Sequence, residues 1–158
     1  MTRRHAREFI LQALFQYEFT GHRPSRAEAL EALAEKDPDE DALEFIDDMI
    51  DGTIRNMPAI DETIGRTAKN WDFERIAPVD RNILRFSVYE LLFRPDIPAA
   101  VAINEAVDIA KKYSTSDSYS FINGILDKIA RTGRAKGDRE TKVDRETGNA
   151  GVLSKAKR

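Results

Sequence analysis

Three arginines and a histidine open the chain in Thr2-Arg3-Arg4-His5-Ala6-Arg7-Glu8, and guanidinium forks at this spacing suit bidentate contacts to phosphate. Arg3 and Arg7 are one helical turn apart and so share a face, with Arg4 beside them, while His5 adds charge only below its unperturbed pKa of about 6.5. Cations at a helix N-terminus oppose the macrodipole by roughly a few tenths of a kcal/mol each, which suggests that a second role retains them. The competing reading is a solvated charge cluster at a helix end. Ala6, Phe9, Ile10, Ala13, Leu14 and Tyr17 follow at three-and-four spacing, so one face of this helix is buried.

Little else in the chain could carry a reaction. With no Cys and two His, His5 and His22, thiolate metal sites, disulfides and cysteine catalysis are excluded, and imidazole chemistry has little to work with. Ser118 or Asp117 as a hydrolytic nucleophile would need a base, and neither His is placed near them by the pattern. The expectation is a protein without catalytic residues, metal or cofactor. No run approaches the roughly eighteen apolar residues a membrane helix needs, and the N-terminus has no apolar stretch with a cleavage site, so a cytoplasmic location is expected.

At 158 residues and 41% hydrophobic content, the chain can build one core. Its net charge of −3 is uneven: an acidic stretch runs from Glu35 to Asp51, whereas from Arg131 to the end nine Lys or Arg face four Asp or Glu, a net of +5. Such asymmetry suits nucleic-acid contact on one face.

The elements that must position these residues all read as helices. Ser25-Arg26-Ala27-Glu28 is a capping box opening a second helix through Ala29, Leu30 and Leu33, which Asp37-Pro38 ends. A third runs from about Asp39 to Met57 with Leu43, Ile46, Ile50, Ile54 and Met57 inward and the acids opposite. Pro58 opens a fourth through Ile60, Ile64 and Ala68, and the Trp71-to-Ile76 connector offers Trp71 as a core plug. Pro78 opens a fifth with Ile83, Leu84, Val88, Leu91 and Leu92 inward and Asp80, Arg81, Arg85 and Glu90 on the other face. The sixth carries Val101, Ile103, Ala106, Val107 and Ala110 and closes on Lys111-Lys112. The seventh is built on Phe121, Ile122, Ile125, Leu126 and Ile129, with Gly133 as its stop. Gly124 inside it predicts a close approach of another helix. No alternating strand pattern bounded by hairpin signals occurs, so the class is all-α. Residues 134–158 lose the apolar period and read as a charged, disordered tail beside a helical domain over 1–133.

Arg4-His5-Ala6-Arg7-Glu8 with Gln12-Ala13-Leu14, Val79 to Arg85 with Tyr89-Glu90-Leu91, Asp96-Ile97-Pro98 through Val107 to Lys111, and Phe121 to Asp127 together resemble the bacterial transcription antitermination factor NusB family, over roughly Thr2 to Ile129. The resemblance implies about seven helices in two small packed bundles. It implies binding of boxA-type single-stranded RNA in nascent ribosomal transcripts together with NusE, a small-subunit ribosomal protein. The pair would join NusA and NusG on RNA polymerase to suppress termination, without catalysis.

The family's arginine motif falls on Arg3, Arg4 and Arg7. The resemblance also implies RNA contacts at Lys111, Tyr113, Asp117 and Phe121, with Lys112 and Tyr119 adjacent. Aromatic faces such as Tyr113 and Phe121 stack unpaired bases, and a carboxylate accepts from a base amine; Phe121 reads equally as core, since it lies on the apolar stripe. The NusE surface would map to Asp80, Arg81, Arg85, Tyr89 and Glu90, although Arg85 and Glu90 also suit intrahelical ion pairs. His5, where many members have Arg, and Ser114-Thr115, in place of an aromatic-Gly turn, depart from the pattern and bear on which RNA is preferred. Alternatives are a homodimer burying the arginine face, and an accessory domain of an RNA-modifying system, for which the expected catalytic domain and glycine-rich cofactor loop are missing.

Overall fold

The computed structural model describes the backbone of residues 1–147 and the side chains of residues 1–133. Among the described residues there are seven α-helices and two short 3-10 turns, in the order α1 (Arg3–Thr20), α2 (Arg26–Ala32), α3 (Glu40–Arg55), α4 (Met57–Thr67), α5 (Pro78–Phe93), α6 (Ala99–Tyr113) and α7 (Ser118–Thr147). None of these helices is long and apolar enough to cross a membrane.

Local chemistry sets the boundaries. Thr2 caps α1 by accepting from the His5 amide, and Gly21 closes it in the left-handed region at φ 73°, where a residue without Cβ is unstrained. Ser25 and Glu28 form the expected capping box of α2. The turn Ala34–Lys36 ends at Asp37, also left-handed at φ 48°, and Asp39 restarts the chain by capping α3. Pro58 and Pro78 stand in the first turns of α4 and α5, where the missing amide hydrogen has no helical partner to lose.

α5 is the axis of the molecule. It packs against α1 and α3 on one side and against α4, α6 and α7 on the other, so two small bundles share it. One continuous core results, with Ile10 and Leu14 of α1, Ile46, Met49 and Ile50 of α3, Phe86 and Leu91 of α5 and Ile109 of α6 all fully buried. At about 25 cal/mol per Å² of apolar surface removed from water, each of these side chains contributes roughly 1.5–3 kcal/mol. Gly52 lets Tyr89 of α5 lie against α3: a Cβ there would collide with the Tyr89 ring.

Several expectations need correction. Val101 and Leu30 are exposed rather than inward, because α6 and α2 each cover the core with a narrower stripe than the pattern allowed. Gly124 marks no helix approach, since a Cβ there meets nothing within 4 Å. Gly133 does not stop α7, which runs on to Thr147; a Cβ at Gly133 would collide with Leu92, so this glycine admits α5 instead. The rest of the expected tail, residues 148–158, lies outside the described residues.

Candidate nucleic-acid interface

The N-terminal arginines separate into three environments. Arg7 is interior, with a side chain only 3% exposed, and its Nε and Nη2 donate to the fully buried Glu90 carboxylate at 2.6–3.2 Å. It is a core ion pair, not a free phosphate clamp, because α1 presses this face onto α5. Burial pushes the Glu90 carboxyl above its ordinary value, against the pull of Arg7. Arg4 bridges to α6 through Glu105 and, at 2.9 Å, Asp108.

Arg3 alone of the three is exposed, with its guanidinium carbon 3.9 Å from the Phe45 ring centroid. Partial burial, and then the neighbouring Arg94 and Arg7, lower its pKa, against the opposing pull of Asp96 and Glu90.

The second group sits at the α6–α7 corner. Lys111, Tyr113 and Asp117 are exposed and Phe121 is half-buried. Lys111 Nζ stands 5.0 Å from the Tyr119 ring centroid, and Lys112 Nζ stands 5.2 Å from that of Tyr113 while pairing with Glu8 of α1 at 2.9 Å. Together with the Arg4 bridges, this last pair fastens the basic end of α1 to the end of α6. Phe121, in the first turn of α7, meets Trp71 at a centroid distance of 5.1 Å. Trp71 is 58% exposed, so it does not plug the core as its size suggested.

The corner itself is held from below. Asp80, buried in the first turn of α5, accepts from the Ser114 hydroxyl and, at 2.8 Å, from the Ser118 hydroxyl. Ser114-Thr115 thus has a structural meaning here: the serine supplies a tether to α5.

The remaining α5 residues follow the same rule. Asp80, Arg85, Tyr89 and Glu90 are buried and Arg81 is half-buried, so the expected outer face of α5 is not a solvent face. Helices surround α5, and its polar side chains tie it to each of them. Arg81 pairs with Glu18 of α1, Arg85 bridges Glu18 at 2.6 Å and Asp61 of α4 at 2.8 Å, and the Tyr89 hydroxyl donates to Asp48 of α3 at 2.8 Å.

Sequence reasoning missed a different surface. Phe15 and Phe19, four apart on α1 and off its buried stripe, are 36% and 63% exposed and meet at 5.1 Å. Phe15 also borders a groove of about 420 Å³ lined with Leu11, Gln12, Val79 and Tyr113. The signal was present in the two off-stripe aromatics, since exposed apolar patches mark contact sites.

An all-helical scaffold that exposes cationic and aromatic side chains, Arg3 at the start of α1 and Lys111 and Tyr113 at the α6–α7 corner, defines a binding module. The chain belongs to the NusB family, whose model matches residues 4–131. It is 46% identical over 140 residues to the transcription antitermination protein NusB of Thermodesulfovibrio yellowstonii, covering 83% of this chain and 93% of that protein. It is 42% identical over 140 residues to that of Desulfitobacterium hafniense, covering 88% and 95%. Among solved structures, NusB of T. maritima superposes with a TM-score of 0.74 at 42% identity, covering 84% of this chain and 92% of that one. A chain of the antitermination factors NusB and NusE in complex with dsRNA matches with a TM-score of 0.70 at 28% identity, covering 82% and 96%.

Proposed function

We propose that this protein is a non-catalytic transcription antitermination factor of the cytoplasm. It binds boxA-type RNA of nascent ribosomal transcripts together with NusE, and the pair joins NusA, NusG and RNA polymerase. The observation that carries this reading is the fastening of α1 to α6 by Arg4 with Glu105 and by Lys112 with Glu8, which fixes the basic start of α1 against the helix that ends in the Lys111-to-Phe121 corner. Family membership and the relative solved with NusE and dsRNA support it.

Within this reading Arg3 and Lys111 meet phosphates, Tyr113 and Phe121 stack unpaired bases, and Asp117 accepts from a base amine. Arg4 and Arg7 act through α1, one holding it to α6 and the other to α5. NusE docks on the exposed Phe15 and Phe19, while Arg81 and Arg85 of α5 hold this end of α1 through Glu18.

Fluorescence anisotropy tests the proposal with a boxA-like and a scrambled strand, with and without NusE, at two salt concentrations. Preferential binding of the boxA-like strand, tightened by NusE, is expected. Equal binding of both strands with no effect of NusE would leave only a nonspecific charge patch and refute it.

A further inference from the structure

The α4–α7 side of the molecule carries a second groove, of about 380 Å³, to which the matched motifs assign no role beyond Phe121. Its wall is the Trp71–Phe121 aromatic pair, and its open floor is Gly124, where a side chain would meet nothing within 4 Å. Lys69 and Lys128 line it, both exposed and without an ion pair among the described residues, and no carboxylate lines it. Asn70 adds an amide that can pair with a base edge.

A tryptophan more than half exposed costs solvation of a large apolar face, and an aromatic wall in a groove that two ammonium groups also line matches an unstacked base with its flanking phosphates. An apolar protein segment would leave both lysines uncompensated. Phe121 makes the groove continuous with the α6–α7 corner, so one strand can pass from one to the other.

We propose that this groove is a further RNA subsite, an inference that rests on the RNA-binding reading above. One unpaired nucleobase stacks on Trp71 above Gly124, and the adjacent phosphates are held by Lys69 and Lys128. The subsite extends the bound strand beyond Phe121.

Trp71 is the single tryptophan of the chain, so its emission reports the groove directly. The full-length protein is titrated with an end-labelled boxA-like strand, following label anisotropy and tryptophan emission together. The emission is expected to be quenched with the same midpoint as the anisotropy. Trp71→Ala should lose about 5- to 150-fold in affinity, the range for one base–aromatic stack. Lys69→Ala with Lys128→Ala should reduce the salt slope by about 1.4 for two phosphates of a single strand. Because all three side chains are exposed, helix content and melting serve as controls that should stay unchanged.

Saturating anisotropy with constant emission and a Trp71→Ala variant that binds normally would overturn the subsite and leave the RNA-binding proposal standing. No binding of the strand at all would overturn both. Trp71→Ala that impairs capture of NusE but not of RNA would assign the groove to a protein and also overturn the inference.

Discussion

Replacing Arg7 with Ala separates the two roles an arginine in the N-terminal cluster can have. In the structure Arg7 is 2% exposed and Glu90 is fully buried, so Arg7→Ala strips the Nε and Nη2 donors from a carboxylate held in the interior. Breaking a buried pair in this way costs about 3–5 kcal/mol. For a domain of this size that is a fall in Tm of about 10–20 °C, a large part of a typical total stability of about 5–15 kcal/mol.

The pH dependence gives a second handle. Burial already raises the Glu90 carboxyl, and loss of Arg7 raises it further. An acid whose folded pKa is raised favours the folded state below its unfolded pKa of about 4.3, and that advantage is lost as pH rises through the folded value. The deficit of Arg7→Ala should therefore be larger at pH 8 than at pH 5. Arg7→Met with Glu90→Leu, which removes both charges, should recover most of the stability. Urea unfolding followed by circular dichroism measures all three. An Arg7→Ala protein with native stability at both pH values and weakened RNA binding would refute the burial argument and restore Arg7 as a phosphate ligand.

Other substitutions probe the same framework. Gly52→Ala forces a methyl into the Tyr89 ring and should cost about 1–3 kcal/mol by overpacking, whereas Gly124→Ala, in open space on α7, should stabilise by about 1 kcal/mol; urea midpoints decide both. Burial alone would raise the Glu18 carboxyl, but Arg81 and Arg85 outweigh it and hold it below its ordinary value. Its contribution to stability is therefore present above the unfolded pKa of about 4.3 and lost as pH falls through the lower folded value, so Glu18→Gln should be less stable at pH 7 and lose less on acidification. Asp80→Ala removes the acceptor of Ser114 and Ser118 and should speed amide hydrogen exchange across residues 114–118 at a cost of about 1–3 kcal/mol; unchanged exchange would show that the corner stands without this tether.

Periodicity and capping chemistry are local, and they placed the helices. The α1 stripe from Ala6 to Leu14, the Ser25 capping box, the prolines opening α4 and α5 and the inward Ile122, Ile125, Leu126 and Ile129 of α7 all depend on neighbours three or four residues away. Arg3, Lys111, Tyr113 and Asp117, expected from residue type and motif to contact RNA, are exposed. Burial of charge could not be read this way, because it depends on which elements surround a helix. α5 has the charge pattern of an amphipathic helix, yet five neighbours enclose it, and its outward-looking polar residues became ties to α1, α3, α4 and the α6–α7 turn. Arg7 entered the core for the same reason, since Glu90 waits 83 residues away in sequence and only folding brings a buried counter-charge to it. Trp71 shows the converse. Its size and apolar surface predicted a core plug, but it follows α4 at 58% exposure, with its ring against that of Phe121 on α7. A helix's existence is encoded within its own turns, whereas the environment of each side chain is set by residues dozens of positions away.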